Sequence, residues 1–214
     1  MTAVRYAPEV FMRADLNEAK QIILTPEVGL TTDQRWTMET DWLMDRIMFD
    51  HQGLVIDYCC GVGRLAKRLT TNPVLGIDIA PQMRANADQY VERSEFGAVS
   101  PQFLKQLVKS GLRANGAIST WVLQHCLDPA EDIGLLASAL ETGSQLFVLN
   151  CSQRVVPTIA GSWFRWNDDG VDIQSLLSDW FDLELIEPMP SNLCAPGAQF
   201  TVWRRNETMQ EIFP

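Results

Sequence analysis

The chain has 214 residues, with 27 acidic and 17 basic side chains and a formal net charge of −10. This length is typical of one domain that buries a sizeable core, and no apolar run is long enough to cross a membrane. Because an acidic surface repels phosphate backbones, and the pairs Lys67/Arg68 and Arg204/Arg205 are too sparse to form a basic stripe, the charge argues against a nucleic-acid partner.

The five cysteines are odd in number and show no C-x-x-C spacing. This usage is typical of reduced thiols, and it argues against a disulfide framework or a zinc site. The first residues also lack the charged and then apolar pattern of a signal peptide. The sequence therefore predicts a cytoplasmic protein without a bound metal.

Residues 1–50 predict a helical segment that lies outside the main domain, which we place at residues 51–214. Thr31-Thr32-Asp33-Gln34 has the pattern of a capping box, and Trp36, Thr40, Leu43 and Ile47 follow it at helical spacing. Two interpretations stay open for this segment. The segment is either a helix packed on the domain or a lid over a binding site, and the same helix can serve both roles.

The most informative stretch is Leu54-Val55-Ile56-Asp57-Tyr58-Cys59-Cys60-Gly61-Val62-Gly63-Arg64-Leu65-Ala66. The apolar run stops at the carboxylate of Asp57 and predicts a buried strand at residues 54–58. A helix is predicted to begin near Gly63. Glycines between them let a ligand approach the backbone closely, and the free N–H groups of a helix start offer donors. This is the pattern of a nucleotide-binding first strand, turn and helix.

Two cofactor classes fit this turn. Residues 61–66 match the dinucleotide fingerprint G-x-G-x-x-G/A, which favours a nicotinamide or flavin enzyme. Asp57 favours a different ligand, because a carboxylate at the strand end repels a pyrophosphate and attracts an ammonium and a sulfonium. S-adenosylmethionine carries both of these cationic groups.

A second acid follows the next predicted strand, at residues 74–78. Asp78 stands 21 residues after Asp57, where an acid accepts the ribose hydroxyls of an adenosine. Asp78 therefore predicts an adenosine-containing ligand without distinguishing the two cofactor classes.

The rest of the chain alternates helices and strands, which predicts a mainly parallel sheet covered on both faces. The connection between the last two strands is too short for a parallel crossover, so they are predicted to form an antiparallel hairpin. A loop that holds Trp163 and Trp166 precedes the last helix. The predicted helices lie at 81–92, from 101 onward, at 129–143 and within 171–180, and the predicted strands at 96–99, 116–120, 145–149, 183–187 and 199–204.

The chain resembles the class I S-adenosylmethionine-dependent methyltransferases over residues 50–205. The residues that carry the resemblance are the run from Asp57 to Arg64, Asp78, and Trp121-Val122-Leu123-Gln124-His125 after the fourth strand of the domain. Cys59 departs from the family motif, which has a glycine at that position. The resemblance implies an α/β, Rossmann-like fold with a seven-stranded, mostly parallel sheet, one antiparallel strand, helices on both faces and an N-terminal helical cap.

The resemblance also implies a set of cofactor contacts. Asp57 and the turn would frame the methionine end, Arg35 would face its carboxylate, and Asp78 would hold the ribose. Residues at the next strand ends would contact the adenine and the sulfur. The full predicted set is Arg35, Asp57, Cys59, Gly61, Gly63, Asp78, Ile79, Met83, Val99, Ser100, Ser119, Thr120 and Trp121. For Met83 and Trp121, packing in the core is the alternative.

Methyl transfer needs a general base only when the acceptor must lose a proton. His125 is the candidate, because it follows a strand at the carboxyl edge, where ligands bind; a structural role is the alternative. Aromatic residues in predicted loops favour recognition of an acceptor, and packing in the core is again the alternative. The predicted acceptor contacts are Trp36, Gln124, Trp163 and Trp166.

The sequence as a whole predicts methyl transfer from S-adenosylmethionine to an oxygen, nitrogen or carbon of a small molecule. Ser119-Thr120-Trp121-Val122 stands where methylases of base nitrogens carry (Asp/Asn/Ser)-Pro-Pro-(Tyr/Phe), which favours a small acceptor. Three alternatives stay open: a protein or RNA methyltransferase, a nicotinamide-dependent oxidoreductase, and an inactive module that only binds the cofactor.

Overall fold

The computed structural model describes residues 5–13, 15–160 and 163–207, and the side chains of 160 and 163–165 lie outside that description. Its α-helices contain the predicted N-terminal capping box, in which Thr31 and Gln34 bond each other's backbone N–H groups. The described helices are α1 (Leu16–Ile23), α2 (Thr32–Met44), α3 (Pro81–Val91), α4 (Pro101–Lys109), α5 (Pro129–Ala139) and α6 (Ile173–Ser178).

The described strands fall into two sheets. Seven strands form the main sheet, and three short strands form the other. In chain order the strands are β1 (Arg5–Tyr6), β2 (Val55–Tyr58), β3 (Val74–Ile77), β4 (Phe96–Val99), β5 (Ala114–Thr120), β6 (Leu140–Cys151), β7 (Val156–Ala160), β8 (Trp163–Asn167), β9 (Phe181–Pro188) and β10 (Ala198–Arg205).

The main sheet has the strand order β4-β3-β2-β5-β6-β10-β9 among the described residues. β2 pairs in parallel with β3 and with β5, while β10 pairs antiparallel with both of its neighbours. The predicted fold class and the C-terminal hairpin are therefore confirmed. Since β3 and β4 lie on one side of β2 and β5 and β6 on the other, the order reverses between β2 and β5.

Helices cover both faces of the main sheet. Side chains of α4, α5 and α6 pack against one face, where Ile56, Tyr58 and Val148 are buried. Residues of α2 and α3 and of the segment after β2 pack against the other, where Ile118 and Phe147 are buried. Within the described residues, none of the helices is long and apolar enough to span a lipid bilayer.

Three local predictions were wrong. The segment at residues 61–68 is a series of turns, without the regular helix predicted to begin near Gly63. α5 ends at Ala139 instead of Gly143, because the buried Leu140 already pairs with Ala114 and so begins a twelve-residue strand. The predicted loop around Trp166 contains an antiparallel hairpin, β7 with β8, to which β1 adds a third strand.

Candidate functional site

Two buried carboxylates lie at the carboxyl edge of the main sheet, beside the point where its strand order reverses. Asp57 belongs to β2 and is 4% exposed, and Asp78 directly follows β3 and is 8% exposed. In open α/β sheets this edge is where ligands bind, because the loops that leave neighbouring strands diverge there. The predicted pair of acids is thus brought together at a site with the expected topology.

The turn after β2 uses left-handed backbone at three of its positions. Cys59, Gly61 and Gly63 have φ angles of +54°, +54° and +77°. Only glycine adopts this region without a steric cost, so Cys59 holds a conformation that a glycine would adopt more easily. The backbone N–H of Gly61 donates to Asp78 Oδ2 over 3.0 Å, which ties the turn to the second acid.

The two glycines also allow neighbouring helices to approach the turn closely. A Cβ on Gly61 would lie 2.7 Å from Ile23 Cδ1 of α1, and a Cβ on Gly63 would lie 2.4 Å from Val91 Cγ2 of α3. Both distances are shorter than any van der Waals contact between carbons. Ile23 of α1 therefore covers the turn.

The electrostatics of the two acids differ from those of exposed carboxylates. Burial raises the pKa of Asp57 to about 7, although the Arg64 cation and a backbone N–H offset part of the effect. Burial also raises the pKa of Asp78 to about 6, against hydrogen bonds donated by the N–H groups of Ala80 and Gly61. Since nearby positive charge favours ionised carboxylates, a cationic ligand at this edge would be stabilised.

Arg35 does not stand free at this edge. Its Nη1 lies 2.7 Å from Glu27 Oε2 and donates to the carbonyl of Thr25, and its Nε lies 3.4 Å from Glu39 Oε2. The guanidinium also lies 5.4 Å from the centre of the Trp121 ring. The predicted contact between Arg35 and a cofactor carboxylate therefore stays a prediction.

A buried ion-pair network fixes α2 against the turn, and the sequence reasoning missed it. Glu39 is fully buried, and its Oε1 accepts from Arg64 Nη2 over 2.8 Å and from Trp121 Nε1 over 2.7 Å. The signal was present in the sequence, because Glu39 lies on the same helical face as Trp36 and Leu43. A charged residue on an apolar face indicates a buried partner.

Trp121 and Trp36 occupy different environments. Trp121 lies just past β5 with φ of +62°, which is rare for a bulky residue, and such backbone strain clusters at functional sites. Trp36 is buried against Tyr90, with ring centres 6.3 Å apart, in a cluster that also holds Met83. Trp36 thus packs in a core in this structure, and its predicted acceptor contact remains untested.

The residues predicted for the adenine side lie at the ends of β3 and β4. The backbone N–H of Asp78 donates to Val99 O, and Ser100 caps α4 by accepting from the N–H of Phe103. Ile79 is 46% exposed beside them. An exposed apolar side chain next to the predicted ribose contact, Asp78, is available for the predicted contact to a base, which stays a prediction.

Ser119, Thr120 and Gln124 lie in and after β5. Ser119 is fully buried, and its hydroxyl has no hydrogen-bond partner among the described residues. Gln124 is buried as well, and its Oε1 accepts from the backbone N–H of Cys151. Gln124 therefore connects the β5 loop to the end of β6.

Both ring nitrogens of His125 are engaged. Its Nδ1 lies 2.7 Å from Val155 O, which requires N–H at that nitrogen, and its Nε2 lies 3.0 Å from the Gln124 amide nitrogen, which donates to it. Burial lowers the pKa of His125, so the ring is neutral near pH 7. A base role would need Gln124 to move away from Nε2.

Two aromatic rings flank this histidine. Phe11 and Trp166 have ring centres 5.4 Å and 5.3 Å from that of His125. Trp166 is 41% exposed, whereas the side chain of Trp163 falls among those not described. The predicted loop aromatics thus include one exposed ring beside the proposed base.

No family model matches this sequence, and no curated protein matches it. Solved structures do match. A TehB-like methyltransferase from Corynebacterium glutamicum is 18% identical, with 78% of this chain and 87% of that chain covered and a TM-score of 0.57. The N-methyltransferase NodS from Bradyrhizobium japonicum, in complex with S-adenosyl-L-homocysteine, is 14% identical, with coverages of 82% and 88% and a TM-score of 0.55.

A third similar structure, the [4+2]-cyclase SpnF, is 15% identical over 86% of each chain, with a TM-score of 0.62. These matches agree with the strand order and with the reversed β10. The protein has the fold of the class I S-adenosylmethionine-dependent methyltransferases. Classical dinucleotide folds end on a parallel strand, so the fold does not support the nicotinamide alternative.

Proposed function

We propose that this protein transfers a methyl group from S-adenosylmethionine to a small-molecule acceptor. The observation that carries the proposal is the pair Asp57 and Asp78, buried at adjacent strand ends beside a glycine turn. The cofactor brings an activated methyl group on a cationic sulfur. What the protein adds is positioning and charge complementarity.

The residues present fit this cofactor. Asp78 accepts one backbone N–H at each carboxylate oxygen, from Gly61 and from Ala80. Each oxygen keeps a further lone pair, so the group retains capacity for two ribose hydroxyls. Burial disfavours the ionised form of Asp57 and raises its pKa to about 7, and a cationic ligand would favour ionisation again. The product of this cofactor is bound in NodS, which has a similar fold.

The decisive experiment is calorimetric titration with S-adenosylmethionine, S-adenosylhomocysteine and NADH. We expect binding of the first two and none of the third. Uptake of NADH without heat from S-adenosylmethionine would overturn the proposal.

Asp78→Ala tests the ribose assignment and should weaken S-adenosylmethionine binding at least tenfold. Asp78→Asn keeps the shape of the side chain, and circular dichroism would report whether either variant unfolds. Asp88→Ala, at an exposed position of α3, is the matched control and should bind as the wild type does. Wild-type affinity in Asp78→Ala would remove the ribose assignment.

The acceptor class rests on the negative charge of the chain and on the sequence after β5. A lysate incubated with the protein and a radiolabelled methyl donor should carry label in the small-molecule fraction. Label in protein or RNA would instead favour recruitment by a partner that supplies a basic surface.

A second candidate is binding of the cofactor without methyl transfer. Its support is the engaged state of both His125 nitrogens and the name of SpnF, a cyclase with a similar fold. Purified protein that retains the cofactor but labels no lysate fraction would favour this candidate.

A further inference from the structure

Arg154 is a buried cation in the segment between β6 and β7. It is 1% exposed, and its Nε and Nη2 donate to the two carboxylate oxygens of Asp169 over 2.9 Å and 2.7 Å. A guanidinium and a carboxylate that share two parallel hydrogen bonds have a fixed relative orientation. This pair therefore holds the segment between β6 and β7 against the segment that follows β8.

The residue after Arg154 contacts His125 directly. The N–H of Val155 donates to the carbonyl of Gln124 over 3.0 Å, and its own carbonyl lies 2.7 Å from Nδ1 of His125. A carbonyl only accepts hydrogen bonds, so Nδ1 carries a proton. Nε2 accepts from the side-chain N–H of Gln124, since the oxygen of that amide already accepts from the N–H of Cys151. Nε2 therefore keeps the lone pair that a base needs.

The positive charge of Arg154 is more than a structural contact requires. Taking a guanidinium out of water is unfavourable, and Nη1 of Arg154 has no hydrogen-bond partner among the described residues. An apolar side chain of similar size would fill the same volume without that penalty. What an apolar side chain does not supply is a positive charge close to the His125 ring.

This charge acts on the histidine. Burial lowers the pKa of His125 most, the hydrogen bond with Val155 raises it, and the Arg154 cation lowers it again. The cation therefore opposes protonation of Nε2. The other charged or titratable side chains at this corner, among the described residues, are those of Asp169, Cys126, Asp132 of α5 and Tyr6 of β1.

We propose that Arg154 is a positioning residue for His125. Its ion pair with Asp169 fixes the Val155 carbonyl, which holds the ring with a proton on Nδ1. Its charge opposes a second proton, so the ring stays neutral near pH 7 with a lone pair on Nε2. The use of that lone pair as a base rests on the proposed methyl transfer, whereas the state of the ring does not.

NMR spectra of the histidine ring nitrogens test this role without an acceptor, because their chemical shifts report which nitrogen carries the proton. The chain has two histidines, and His51→Gln, a change at an exposed position, assigns the signals. We expect the Nδ1–H form of His125 in the wild type at pH 7. A ring that is protonated on Nε2, or on both nitrogens, would overturn the proposal.

Arg154→Met keeps an unbranched apolar stem and removes the charge. We expect the protonation midpoint of His125 to rise by at least about 0.5 pH units, and the Nε2–H form to appear. Arg154→Lys restores the charge without the paired hydrogen bonds, so the midpoint should return toward the wild-type value while the Nε2–H form persists. Arg68→Met, at an exposed arginine that pairs with Asp41, is the matched control and should leave the His125 signals unaltered. A wild-type midpoint in Arg154→Met would contradict the proposal.

Asp169→Asn separates the charge of Arg154 from its structural contact. A purely structural role would make this variant resemble Arg154→Met, since both substitutions break the ion pair. We expect the opposite sign, with a lower His125 midpoint, because the cation loses its counter-charge. A midpoint that rises or stays unchanged would refute the role of the charge.

The Asp169 side chain is 42% exposed, so Asp169→Asn is expected to fold even if Arg154→Met does not. The two proposals also fail separately. If no lysate fraction is methylated while these NMR results hold, the proposed function fails and the positioning role of Arg154 stands.

Discussion

Replacing Glu39 with glutamine removes the negative charge that lies between Arg35 and Arg64. Both arginine residues are 4% exposed, so neither guanidinium gains water when the carboxylate is lost. Arg64 would lose its ion pair, in which Nη2 lies 2.8 Å from Glu39 Oε1. Arg35 would keep its ion pair with Glu27. Breaking a buried ion pair by removing one partner costs about 3–5 kcal/mol. We therefore expect Glu39→Gln to lower the free energy of unfolding by this amount.

Urea unfolding at equilibrium, followed by circular dichroism, measures this loss. Asp41→Asn on the same helix is the matched control, since Asp41 also lies 2.8 Å from an arginine, Arg68, but the two side chains are 54% and 49% exposed. An exposed pair contributes about 0–1 kcal/mol. If Glu39→Gln lowers the free energy of unfolding no more than Asp41→Asn does, burial does not govern the strength of these ion pairs and the prediction is wrong.

Two further predictions concern the acids and the glycine turn. Because the pKa of Asp57 is raised to about 7 from an ordinary 3.8, the folded state holds this proton more tightly, and stability should fall by up to about 4 kcal/mol between pH 4 and pH 7. Urea unfolding across this range should show a smaller fall in Asp57→Asn, and an identical fall would refute the assignment. Gly63→Ala should lower the free energy of unfolding by about 2–5 kcal/mol, because the strain of left-handed backbone adds to the clash with Val91. Gly111→Ala, with φ of +95° and open space around it, should lose only about 1–2 kcal/mol, and equal losses would show that the clash is relieved at no cost.

Strand positions were the most predictable part of the fold. Buried apolar runs that end at Asp57 and near Asp78 mark two parallel strands, since such strands are covered on both faces. The segment at residues 140–143 was misread because a glycine commonly ends a helix, whereas here Leu140 is already part of β6. Pairing with Ala114 overrides that local signal, and a pairing between distant residues is not visible in either segment alone.

The predictable part of the candidate site consists of residues whose type has a well-known role at their position. Carboxylates at strand ends and glycines in a turn follow from that logic, and the structure brings them together. The contact of Ile23 with the turn was not predictable, because it depends on how separate elements pack. Sequence spacing carries no information about that packing.

The smaller sheet has a consequence for synthesis of the chain. Arg5 of β1 pairs with Ile159 of β7, so about 150 residues lie between these two paired strands in the sequence. At roughly 5–20 residues per second, a nascent β1 waits about 8–30 s outside the ribosome before its partner emerges. During that interval its backbone groups are open to chaperones or to other nascent chains, and this corner of the protein is expected to be completed only after β7 has been translated.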